Sequence, residues 1–301
     1  MGYRYAWALA WGGVLSCGTA MGGATGLPAV HDPAIPELSG CASDGRQPER
    51  LWVHNDSSNP PLLFAINPQG QVLQRVRVDG ADNVDWEDIA HFVWHGQSYL
   101  ALADTGDNFA WRDGVAVLLM PEPVPGMREL RPARTIRVHY PDGAHDVEAL
   151  AVDAAAGDIL LLTKRRPPAR LYRLRLDGPD VQQAEPIATL PDWWPERQTP
   201  VETISEWHYR GAVSAMDLSP DGRRLAMLTG THWMVFDRDG GEPWAQVLQR
   251  QPRIARIPRP SDGPDTIYEA LCWAADGGLW INGERLPAPL LHLAPGVPSG
   301  P

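Results

Sequence analysis

Two stretches of this chain repeat each other, and the repeat constrains the fold more than any other feature. Residues 146–174 read DVEALAVDAAAGDILLLTKRRPPARLYRL, and residues 267–293 read IYEALCWAADGGLWINGERLPAPLLHL. Each runs through a Glu, an apolar strand, a Gly-bearing turn, a second apolar strand, a charged residue, a Pro-bearing turn and Leu-x-x-Leu. Glu148 stands nine residues before Gly157, and Glu269 eight before Gly277. Both glycines stand seven residues before the charged position, Lys164 or Glu284. Weaker copies fill the rest: LSGCAS with LWVHNDSSNPPLLFAI, VDWEDIAHFVWHGQSYLALADTGDN with VAVLLM, and AVSAMDLSPDGRRLAMLTG with THWMVF. The last contains an Asp221-Gly222 hairpin turn of the kind that joins twisted antiparallel strands.

Five units of roughly fifty to sixty residues, each with about four short strands, have the period of a β-propeller. The 29 Gly and 30 Pro spread along the 301 residues suit many turns and leave little room for long helices. The expected fold is therefore all-β, a five-bladed propeller. A six-bladed ring, with a blade hidden in residues 176–211, is the alternative. No strand is evident after Leu293, so closure requires one from the segment just before Pro36. No linker divides the chain, and residues 37–301 read as one domain after a lead-in at 25–36.

Residues 1–24 read as a secretory signal: Arg4, then the apolar stretch Tyr5–Leu15, then small residues. The apolar stretch is too short to span a bilayer. Either it is cleaved after Ala20 or Ala24, or Val14-Leu15-Ser16-Cys17 is a lipobox and Cys17 carries a lipid anchor. Both place the mature chain outside the cytoplasm, secreted or in the periplasm or cell envelope, with a lipid on Cys17 as its sole membrane attachment. Cys41 and Cys272 then fall on the innermost strands of the first and last blades, as one disulfide or as two buried thiols. The net charge of −11 disfavours nucleic acid and anionic membranes as partners and is compatible with cation binding. Nothing calls for an oligomer, and a monomer is expected.

The first strand of each blade lines the channel of a propeller. Glu87, Glu148 and Glu269 occupy that place in three blades, and Ser39–Gly40 and Ser214–Ala215 in the other two. Three carboxylates converging on one mouth raise each other's pKa unless a positive charge sits among them. The end of the second strand supplies Asn55–Asp56, Asp104, Lys164, Thr229–Gly230 and Glu284. Lys164, the one lysine among 26 basic residues, is one candidate for that charge and a metal ion is the other. An oxygen-only set of Glu87, Asp104, Asp107, Asn108, Glu148 and Glu269 suits a hard cation such as Ca²⁺. Asn55, Asp56 and Glu284 are candidate ligand-binding residues, and His54, Glu148 and Lys164 candidate acid–base residues. In the plainer reading the same charges tie neighbouring blades together. No zinc spacing, no Gly-x-Ser-x-Gly elbow and no phosphate loop is present. The Trp193-Trp194 pair pins a long connection or stacks on a ligand.

The motifs Leu51-Trp52-x-His54-Asn55-Asp56-Ser57, Asp85-Trp86-Glu87-Asp88-Ile89-Ala90, Asp104-x-Gly106-Asp107-Asn108, Glu148-Ala149-Leu150 and Glu269-Ala270-Leu271 resemble a group of uncharacterised secreted bacterial β-propellers over about residues 37–293. More distantly the scheme is similar to phytase-like propellers and regucalcin-like lactonases. That likeness implies a divalent cation held by Glu87, Asp104 and Glu148, with Glu269 and Asn55 completing its shell. The lactonases' Glu-Gly-Pro pattern is absent here, since Asp88, Ala149 and Ala270 follow the glutamates, and no cluster of phosphate-binding basic residues is evident. The expected function is binding of a small ligand, an envelope partner or a divalent cation at an acidic mouth; the alternative is a metal-dependent phosphoesterase or lactonase.

Overall fold

In the computed structural model, residues 27–165, 168–193, 211–258 and 266–296 are described. The expected signal segment with Cys17, and Trp194, lie outside these ranges. Five sheets, antiparallel but for one parallel edge strand in each of the first two, follow one another along the chain, each built outward from an inner strand: Leu38–Ser43, Trp86–Trp94, Val147–Asp153, Val213–Leu218 and Tyr268–Trp273. The chain is a five-bladed β-propeller. The described part of residues 176–211, the stretch that could hide a sixth blade, supplies edge strands. Val181–Gln183 adds in parallel to Arg134–His139 of the second blade, and Glu185–Thr189 is the outer strand of the third.

The blades hold together because both faces of each sheet are apolar. Ala149 and Ala151 pack toward the fourth blade, while Leu150 and Val152, pointing the opposite way, pack toward the second. Strand side chains alternate with period two, so a strand buried on both faces reads as an unbroken apolar run, and Leu160-Leu161-Leu162 is such a run. Five apolar clusters result, one at each blade junction.

The ring closes as the sequence requires. Ala29–Val30 pairs with Ala288–Leu293 and becomes the fourth strand of the last blade. Cys41 and Cys272 form a disulfide across the same junction, with Cα atoms 5.6 Å apart.

One irregularity recurs in every blade. The ladder between first and second strands slips by a residue between Leu38 and Gly40, Trp86 and Asp88, Val147 and Ala149, Val213 and Ala215, and Tyr268 and Ala270. The skipped residues are Ser39, Glu87, Glu148, Ser214 and Glu269. A β-bulge leaves one residue unpaired and re-aims its side chain, so the five positions matched by sequence are the five bulges.

Candidate functional site

The five bulges ring one end of the channel. Two of them are spent on the ring itself: Ser39 Oγ donates to Glu87 O at 2.9 Å, and Ser214 Oγ donates to Tyr268 O at 3.5 Å. The three glutamates face Lys164. Its ammonium contacts Glu148 Oε2 directly and lies 3.8 Å from Glu269 Oε1. Beside it Arg165 pairs with Asp146 and lies 4.0 Å from Glu148 Oε1.

Glu87 is different. It is 5 % exposed, and its carboxylate makes no hydrogen bond or ion pair among the described residues. Two triads of carboxylates share it: Asp56, Asp85 and Glu87, and Glu87, Asp146 and Glu148. Within each triad one oxygen per residue lies within 4.8 Å of the others. Oxygens coordinating one Ca²⁺ at 2.3–2.6 Å stand at most about 5 Å apart, so both triads have the dimensions of a partial cation shell. Burial, and then the charge of Glu148, push the Glu87 carboxyl well above its ordinary value, with Lys164 pulling the other way. Burial pushes Asp85 up to about 6, with the charge of Asp56 adding to it. Burial opposes the charge of Lys164, but Glu148, Glu269 and Glu87 outweigh it and hold the ammonium above its usual range.

The remaining expected site residues scatter. The second-strand residues paired just before the bulge are Asn55, Asp104, Thr163, Thr229 and Gly283. Asp104 is therefore equivalent to Thr163 and not to Lys164. A shift of one residue turns a side chain to the other face of a strand. Asp104 accordingly contributes no oxygen to the triads and borders them, accepting from Arg112 Nη2 at 2.9 Å and from the Asp85 amide at 3.2 Å. Asp107 caps the amides of Trp111 and Arg112 at 2.8 and 2.9 Å, and Asn108 accepts from Arg165. Asn55 holds the lead-in, donating to Ala34 O at 2.9 Å. Glu284 lies at the rim, 3.5 Å from Arg285.

His54 is fully buried against Trp86, with ring centroids 5.8 Å apart, its Nδ1 3.0 Å from Asn55 O and its Nε2 without a partner. Burial lowers its pKa to about 4, so it is neutral at physiological pH. Gly40 makes room for it, since a Cβ there would overlap His54 Nε2.

Asp85 and Asp146 are not among the candidate site residues of the sequence, although each stands two residues before a bulge glutamate. The spacing Asp-x-Glu, present in two blades, is the signal that would have found them. Deeper in the channel Asp88 crosses between blades: its Oδ2 accepts from the amides of Leu150 at 2.8 Å and Met216 at 3.1 Å. Asp217 does the same for Trp273 at 2.9 Å. These buried carboxylates tie inner strands together, the structural role expected of some channel charges.

No family model and no curated protein matches the chain. Among solved structures it is similar to the major Malassezia sympodialis allergen Mala s 1, with a TM-score of 0.54 at 11 % identity over 90 % of this chain and 96 % of that one. It also aligns with the β-propeller domain of Myceliophteria thermophila Cps50 (Swd1), with a TM-score of 0.43 at 12 % identity over 85 % and 83 % of the two chains. At this identity the first likeness bears on fold alone.

Proposed function

We propose that this propeller binds a divalent cation, Ca²⁺ by its all-oxygen ligands, at the channel mouth through Asp56, Asp85 and Glu87, with Lys164 holding Glu148 and Glu269 beside it. The observation that carries this reading is Glu87. A largely buried carboxylate that accepts no hydrogen bond among the described residues and stands among like charges is costly, and two further carboxylates stand at ligand distance from it. The function is accordingly a binding one, and His54, neutral and walled in against Trp86, offers no support for the hydrolase alternative. Purified mature protein is expected to carry stoichiometric calcium and to melt at lower temperature in chelator. Glu87→Gln removes the buried charge while keeping its shape. The variant should melt higher than the wild type in chelator and no longer respond to calcium. A wild-type melt indifferent to both calcium and chelator refutes the site.

A further inference from the structure

The loop at 104–113 has one flank on the carboxylate mouth and the other on a separate cavity. Its inner flank is fixed by many bonds. The Asp107 amide donates to Asp146 Oδ1 at 2.9 Å, Arg112 Nη1 donates to Gly106 O at 2.8 Å, and Asp107 caps two amides as described. A loop so tied has few conformations left to lose. Its outer end carries Phe109 and Trp111, stacked with centroids 4.7 Å apart and planes at 25°. They are 69 % and 79 % exposed, more than any other large apolar side chain among the described residues. Neither enters any of the five junction clusters. Folding therefore does not account for this pair: a rigid loop holds two aromatic faces in water.

Trp111 forms one wall of a cavity of about 260 Å³, with Arg112, Asp113, His139, Tyr140 and His145 among the others. Tyr140 lines this space while its hydroxyl is turned away from it into the protein. The cavity lies just below the range of roughly 300–1,000 Å³ usual for drug-sized ligands, which fits one small ring. Its polar walls do not favour an anion. Arg112 is taken by Asp104, and Asp107 and Asp113 add negative charge. An aromatic face beside carboxylates, a phenol and imidazoles suits a neutral ring with apolar C–H faces and hydroxyl edges.

We infer that this cavity is a second binding site, for a neutral monosaccharide ring stacked on Trp111 with its hydroxyl edge toward the polar walls. The site stands apart from the cation site, and its test separates the two. Saturation-transfer NMR on the full mature chain, with glucose, galactose, mannose and N-acetylglucosamine as probes, should show transfer to the ring C–H protons of at least one of them. Trp111→Ala, a surface change that leaves the melting temperature in place, should weaken that binding roughly tenfold or more, about 1.4 kcal/mol. Glu87→Gln and chelator should leave it unchanged. No transfer from any of the four sugars, undiminished binding by Trp111→Ala, or loss of binding in chelator would each overturn the inference, whatever becomes of the cation.

Discussion

At the scale of the residue, Lys164 decides how much negative charge the mouth can hold. Its ammonium faces both Glu148 and Glu269, and removing one member of a buried ion pair typically costs about 3–5 kcal/mol. At and above about pH 8, where Glu148 is ionised, Lys164→Met should therefore destabilise the cation-free protein by about that amount and raise its affinity for calcium, since the glutamates lose their internal counter-ion. The pH dependence has a definite sign. Burial pushes Glu148 up to about 8 even with Lys164 pulling it down. Between the ordinary carboxylate range and about pH 8 the unfolded chain releases protons that the fold retains. Stability of the cation-free wild type should fall with rising pH through that window and level off above it. Calcium requires ionised ligands, so its stabilising effect should grow over the same window. Urea melts at several pH values, with calcium and with chelator, measure both. A variant as stable as the wild type at pH 8 would remove Lys164 from the counter-ion role.

At the scale of the element, the repeated β-bulge explains both what could be read from the sequence and what could not. Aligning VEALA with YEALC and WEDIA located all three bulge glutamates, because a glutamate inside an apolar strand is conspicuous. Ser39 and Ser214 followed by register. The second strand carries no such marker. Its final residues vary from Asn55 to Gly283, so a one-residue error went unseen and put Asp104 level with Lys164. Asp88 and Asp217 were illegible for another reason. Their partners are backbone amides of other blades, which no side-chain pattern reports. The loop after the second strand of the second blade tests how closely these elements must fit. A Cβ at Gly106 would overlap Glu87 Oε1 and lie 2.5 Å from Asp85 Oδ2. Gly106→Ala should thus displace two of the three proposed ligands and lower calcium affinity at least tenfold, while the melting temperature in chelator moves by only a few degrees. Calorimetric titration beside a thermal melt reads the two effects. Unchanged affinity would place the cation elsewhere.

At the scale of the whole molecule, closure rests on two devices at one junction, and they differ in kind. The disulfide joins residues 231 apart. A cross-link closing so long a loop restricts the unfolded chain by roughly 5 kcal/mol on the loop-entropy account. The strand Ala29–Val30 acts on the folded state, where Val30 is fully buried in the cluster between the last and first blades. With the disulfide intact, loss of that strand exposes an edge of the last blade but leaves the two inner strands joined. With the disulfide reduced as well, the junction can open, and the last blade loses contact with its neighbour on one side. Removal of residues 1–31 should therefore cost more in the Cys41→Ser/Cys272→Ser background than in the wild type, by a coupling of about 1–3 kcal/mol. Equilibrium unfolding of the four proteins completes the cycle. Additive losses would mean that strand and disulfide act independently, and that the ring stays shut on the packing of its blades alone.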